Sequence, residues 1–188
     1  MNNLIVALGN PGNEYAQTRH NVAWLVLEHL KKSDRLVWKE KFKGIFAIDA
    51  ETVFLKPQTF MNLSGESLIP AAQFFKVTPA NILVIHDELD LPYGTIAFKK
   101  GGGSAGHNGL KSISQLLGTP DYMRLRVGIG RPSVGTVSNW VLSNFSNDEQ
   151  IQLDDYLDAT ARAVELYQTE GYDKAASRYS RKALIPSP

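Results

Sequence analysis

The 188 residues contain no cysteine, which excludes disulfides, thiolate nucleophiles and cysteine-ligated zinc or iron–sulfur centres. No apolar run approaches membrane-spanning length. The amino terminus lacks the basic stretch, apolar core and small-residue cleavage site of a secretory signal. The expectation is a cytoplasmic protein with no membrane association. Excess charge is also missing, since the formal net charge is only +1. What remains is a soluble-type composition, 43% hydrophobic and 21% charged, in a chain long enough for one well-filled domain.

The charges that are present segregate. Between Phe98 and Arg131 stand six bases, Lys99, Lys100, Lys111, Arg124, Arg126 and Arg131, against one acid, Asp121. Between Ser146 and Glu170 the balance reverses, with seven acids and only Arg162. Either both are ordinary solvated surfaces, or an anion-binding face lies opposite an acidic helix.

Apolar periodicity alternates strand and helix. Strands are expected at 4–8, 37–38, 45–48, 52–55, 82–85, 95–99 and 124–128. Helices are expected at 21–30, 64–75 (capped by Ser64), 108–117, in a short piece around Trp140, and in a long segment opened by the capping box Ser146–Glu149. This order predicts a single α/β domain over 1–188, with a mixed, mostly parallel central sheet between helices in three αβα layers. Residues 131–145 form a lid loop, and the tail 183–188 frays.

In open α/β sheets the usable crevice lies beyond the carboxyl ends of the strands. Three polar loops are expected there: 9–21, 86–94 and 101–109. The first carries Asn10 on a glycine–proline turn and ends on His20. The second begins His86-Asp87-Glu88. A His20–Asp87 pair suits general-base chemistry, because the carboxylate fixes the imidazole tautomer and steadies its protonated form. Asp87, Glu88 and Asp90 could instead hold a hard cation. The third loop fits G-x-G-x-x-G at Gly101, Gly103 and Gly106 but lacks the other dinucleotide-site features. Its glycines and the following helix start still suit an anionic ligand. Phe60, Met61 and Asn62 precede another helix, with Asn62 open to reading as a turn residue.

Five segments together resemble the bacterial-type peptidyl-tRNA hydrolase family: "GNPG" with "YAQTRHN", "KPQTFMNLSG", "HDELDLP", "GGGSAGHNGLKSI" and "YMRLRVGIGRP". They lie in order over most of residues 4–132. The resemblance implies hydrolysis of the ester between a peptide and the 3′-terminal ribose of tRNA, with no cofactor and no metal. It implies His20 as catalytic base, Asp87 as its orienting partner, and Asn10 as a further catalytic group. Asn62, Asn108, Tyr15, Phe60, Met61 and Gly106 become substrate-binding residues, and Lys99 and Arg126 grip the tRNA 5′-phosphate. Some members carry another base where this chain has Ala97, so the grip is thinner or Lys100 shares it. The partner implied is peptidyl-tRNA, held by its acceptor stem and 3′ end. The protein is expected to be a monomer without an obligate protein partner.

On this reading water, activated by His20, attacks the ester carbonyl. A covalent acyl-enzyme on a serine elbow is not expected. Two rival readings are an RNA-binding module without hydrolysis and a dinucleotide-dependent oxidoreductase.

Overall fold

The apolar runs of strands β1 (Asn3–Ala7) and β5 (Ile82–Glu88) organise the molecule, and the computed structural model describes residues 1–187 around them. Side chains alternate across a strand. Accordingly Ile5, Leu83 and Ile85 enter one core while Leu4, Val6, Ile82 and Val84 enter the other. The first core is closed by α1 (Val22–Glu28) and α5 (Asn147–Glu170), the second by α2 (Gly65–Phe75) and α3 (Asn108–Leu117). The result is the expected three-layer αβα domain.

The remaining strands are β2 (Lys39–Lys41), β3 (Gly44–Asp49), β4 (Thr52–Pro57), β6 (Thr95–Lys100), β7 (Met123–Gly128) and β8 (Lys182–Ala183). They build one eight-stranded sheet in the order β2-β3-β4-β1-β5-β7-β6-β8. Its centre, β4-β1-β5-β7, is parallel, and the pairs at both flanks are antiparallel. The short helices α4 (Val137–Val141) and α6 (Tyr172–Arg178) complete the order.

Four expectations change. β5 continues three residues past its apolar run, because its ladder with β7 extends through His86↔Arg126, Asp87↔Val127 and Glu88↔Gly128. His86, Asp87 and Glu88 are therefore strand residues, not loop residues. β6 runs antiparallel to β7, with Lys100 opposite Met123. The glycine-rich loop thus leaves the sheet at the end away from the carboxyl ends of β1, β4, β5 and β7, and must run back to reach α3. Ser64 does not cap α2: its hydroxyl donates to the Met61 carbonyl, and the free Gly65 N–H donates instead to Ser112 Oγ at 3.0 Å. The tail, finally, does not fray from residue 183. An edge strand offers unpaired backbone groups, and β6 uses them to hold Lys182–Ala183, while the Leu184 N–H donates to the Gly94 carbonyl. Pro188 lies outside the described residues. The Ser146–Glu149 capping box opens α5 as expected, and α4 contains Trp140.

Candidate active site

Four loops follow the carboxyl ends of the parallel strands, and the one after β1 is cross-braced. The Asn10 N–H donates to Asn21 Oδ1 and Asn21 Nδ2 donates back to the Asn10 carbonyl, each at 2.9 Å. Trp24 Nε1 donates to the Ala7 carbonyl, and a Cβ on Gly9 would stand 2.6 Å from the Trp24 ring. Gly9 is required because the indole lies on its backbone. Asn10 Oδ1 accepts the Met61 N–H at 2.8 Å, which fixes the orientation of the amide and leaves its NH2 for a ligand.

This loop places His20 in a single 3-10 turn beside the end of β5. His20 Nδ1 lies 2.7 Å from one Asp87 oxygen, and His107 Nε2 lies 2.7 Å from the other. His107 Nδ1 accepts the N–H groups of Gly109 and Leu110, capping α3, so its proton sits on Nε2 and is donated to Asp87. Asp87 likewise takes the Nδ1 proton of His20. Nε2 of His20 stays open.

Burial opposes the charge on Asp87, but attraction and hydrogen bonds from His20 and His107 outweigh it and hold the carboxyl well below the ordinary range. For His20, burial favours the neutral ring; Asp87 overcomes this and raises the pKa above 6.5. His86 is different. Burial first, then repulsion from His107, pushes it down to about 3, while its Nδ1–H donates to the Asp87 carbonyl.

A cavity of about 740 Å³ joins these groups. It is lined by Asn10, His20, Phe60, Met61, Asn62, Asp87, Gly106 and Asn108 around the acid–base pair, and by Lys99, Arg124 and Arg126 along the β6–β7 wall. Phe60–Asn62 belong to the loop leaving β4, so Asn62 is a cavity residue and not merely a turn residue. Tyr15 is the exception among the expected site residues: it does not line the cavity, and packs edge-on against Phe60 with ring centres 6.4 Å apart. A comparable space of about 780 Å³, near the amino ends of the central strands, contains no histidine and no acid–base dyad.

The basic stretch is less open than its sequence suggests. Arg126 pairs with Glu88 at 2.7 Å, Arg131 with Asp90 at 2.8 Å and Lys100 with Asp173 at 3.6 Å. Arg124 is spent on the Gly102 and Gly103 carbonyls, tethering the returning glycine loop. Lys99 makes no ion pair among the described residues.

Asp87 is taken by two histidines, Glu88 by Arg126 and Asp90 by Arg131, so these three carboxylates do not converge as a hard-cation site. His20, Asp87 and His107 do converge. Ligands sharing a tetrahedral zinc lie roughly 3.3 Å apart for metal–ligand bonds of about 2.0–2.1 Å. The two 2.7 Å separations, with the tautomer fixed on His107, are those of hydrogen bonds. The dinucleotide reading fails on the same histidine, because His107 occupies the first amides of α3. Residues Gly102 to Gly106 do spell G-x-S-x-G around Ser104. Yet Ser104 sits in the returning loop, not on a strand-to-helix elbow, and no histidine bonds its hydroxyl among the described residues.

Sequence reasoning passed over His107, Asn21 and Arg19. One signal was available: His-Asn occurs twice, at 20–21 and 107–108. Arg19 links the site to residues 131–145. Its guanidinium donates to the Asn144 carbonyl at 2.6 Å, pairs with Glu149 at 2.8 Å and lies 3.6 Å over the Trp140 ring.

Residues 4–186 match the peptidyl-tRNA hydrolase family. Peptidyl-tRNA hydrolase from Geotalea uraniireducens is 47% identical, covering 97% of this chain and 98% of that protein. The Wolinella succinogenes protein of the same name is 48% identical over 97% of each. A crystal structure of peptidyl-tRNA hydrolase from Acinetobacter baumannii superposes with a TM-score of 0.85 at 38% identity, covering 96% of both chains. Near-complete coverage at this identity, with the fold and the five segments in agreement, places the chain in the peptidyl-tRNA hydrolase family, whose reaction is hydrolysis of peptidyl-tRNA.

Proposed function

We propose that His20 is the general base of peptidyl-tRNA hydrolysis and that Asp87 is its orienting partner. One observation carries this reading: both Asp87 oxygens are taken by histidines, and of those two His20 alone keeps a ring nitrogen without a partner among the described residues. Water held at that nitrogen attacks the ester carbonyl. With its Oδ1 held by the Met61 N–H, Asn10 has an NH2 left to donate, which suits the oxygen on which negative charge develops. Asn62 and Asn108 are exposed and make no side-chain hydrogen bond among the described residues, which leaves both amides for the peptide end of the substrate. Phe60, Met61 and Gly106 shape the surface around the ester, with Tyr15 supporting Phe60 from behind.

Lys99 is the free cation for the tRNA 5′-phosphate, and Arg126 joins it when phosphate competes with Glu88. Ala97, opposite Arg126 in the ladder, adds no charge. The segment 131–145 acts as a lid over the cavity, anchored near its carboxyl end by Arg19. The protein works as a cytoplasmic monomer without metal or cofactor. The deciding experiment is hydrolysis of a defined peptidyl-tRNA by wild type and His20→Ala. A loss of about 10²–10⁴ in kcat with tRNA binding retained is expected; near-normal turnover would remove His20 from the role.

A further inference from the structure

The basic wall of the cavity has an acid set into it. In the β5–β7 ladder His86 stands opposite Arg126 and Glu88 opposite Gly128, so Glu88 and Arg126 are diagonal neighbours on one face of the sheet. Lys99, opposite Arg124 in the β6–β7 ladder, shares that face. Arg126 Nε donates to Glu88 Oε1 at 2.7 Å, and the two side chains are only 20% and 14% exposed. The other Glu88 oxygen accepts the Asp90 N–H at 3.3 Å, while the Asp90 carboxylate is held by Arg131 at 2.8 Å. The Glu88 carboxylate is thus tied to Arg126 on one side and to backbone on the other. All of these groups line the catalytic cavity.

Such a pairing works against a grip on phosphate. A terminal phosphate carries a charge of about −1.5 to −2 at pH 7 and three acceptor oxygens. To use Arg126 it must displace an anion already in place. Hydrolysis of the ester leaves the 5′ end of the tRNA untouched, so the phosphate that helps the substrate bind is still present on the deacylated product. Affinity shared by substrate and product lowers KM without speeding the chemistry. It also slows departure of the product.

We propose that Glu88 is a release element: by holding Arg126 it limits the grip on the 5′-phosphate, so that deacylated tRNA leaves within the catalytic cycle. Lys99 supplies an uncontested contact, and Arg126 one that Glu88 always contests. The inference rests on the reading of this wall as the 5′-phosphate site.

The test measures the inhibition constant of deacylated tRNA, with a 5′-phosphate and with a 5′-hydroxyl, alongside kcat and KM for one peptidyl-tRNA. Glu88→Gln keeps the shape and an acceptor for Arg126 and removes the charge. It should lower the inhibition constant of the phosphorylated form about tenfold, the size of one hydrogen bond to a charged group, and leave the hydroxyl form as it was. KM should fall in parallel, and kcat should fall because release is slower. Glu88→Asp, which withdraws the charge by one methylene, should act in the same direction and less strongly. Unchanged inhibition constants in both variants overturn the proposal. So does a kcat that stays at the wild-type value while product binding tightens. Equal tightening on the hydroxyl form overturns it as well, because Glu88 would then repel RNA at large. A wild type that binds both forms equally refutes the phosphate reading of the wall, and the release role with it.

Discussion

The two His-Asn pairs divide the same labour in opposite ways. In the first loop Asn21 is fully buried and spends its amide on the Asn10 backbone, while His20 keeps one nitrogen for chemistry. In the second it is the histidine that is spent. His107 has both nitrogens engaged, by Asp87 and by the α3 amides, and Asn108 is exposed to the cavity. Role follows from what the backbone leaves unsatisfied, and residue type alone does not assign it.

The strongest test of that contrast is to remove each histidine. His20→Ala is expected to lower kcat by about 10²–10⁴. His107→Ala should cost kcat less, about tenfold, and lower the melting midpoint by roughly 2–4 °C through loss of a cap worth about 1 kcal/mol. Equal kinetic losses would dissolve the distinction.

The pH dependence is next in size. His20 serves as a base only with Nε2 unprotonated, so kcat/KM rises with pH along a limb whose midpoint lies above 6.5. Asp87→Asn removes the charge that raises the imidazole, so the midpoint should move down and kcat should fall with it. Stability follows the same shifts. The His20–Asp87 contact contributes fully below the unfolded histidine value of about 6.5 and is lost as pH rises through the raised folded value. His86 runs the other way. Its folded pKa is about 3, so below about 6.5 the unfolded chain takes up a proton that the native state refuses. Stability from this group falls by up to ~1.4 kcal/mol per pH unit on acidification. His86→Leu should flatten that acid decline in a denaturant titration series.

Removing each asparagine gives a smaller contrast. Asn21→Ala strands the Asn10 N–H and carbonyl in the interior, a loss of about 1–3 kcal/mol visible as a lower melting midpoint. Asn108→Ala should leave the midpoint unchanged and weaken catalysis. The smallest effect concerns the glycine loop's neighbour Lys99, whose side chain lies over Gly102. Lys99→Ala should reduce the salt dependence of tRNA binding by about one unit of slope, and an unchanged slope would remove Lys99 from the phosphate grip.

Much of the architecture was legible because it rests on short-range signals. Continuous apolar runs identified β1 and β5, and the Ser146–Glu149 pattern identified the start of α5. The end of β5 was not legible, because His86, Asp87 and Glu88 carry no strand propensity; their place is imposed by the β7 ladder. The direction of β6 was hidden for a similar reason. Nothing local in residues 95–100 tells parallel from antiparallel, so the glycine loop was assigned to the wrong end of the sheet. In the site, resemblance named His20 and Asp87, but pairing of Glu88, Asp90 and Asp173 with arginines and lysine could not be read from a count of charges. Ser64 shows the same limit: a favoured cap residue lost its place to Ser112, a partner 47 positions away from the Gly65 amide it serves.

The chain of hydrogen bonds behind His20 has a consequence for proton traffic. It runs from Nδ1 to Asp87, from Asp87 to His107, and from His107 into the backbone of α3, with each of these atoms already engaged in a hydrogen bond. A proton drawn from water in the proposed reaction therefore has one way out, through the nitrogen by which it entered. The ribose oxygen that departs must collect it there. Each turnover then returns the imidazole to its starting state without exchange through the protein interior, and the catalytic cycle closes on a single atom.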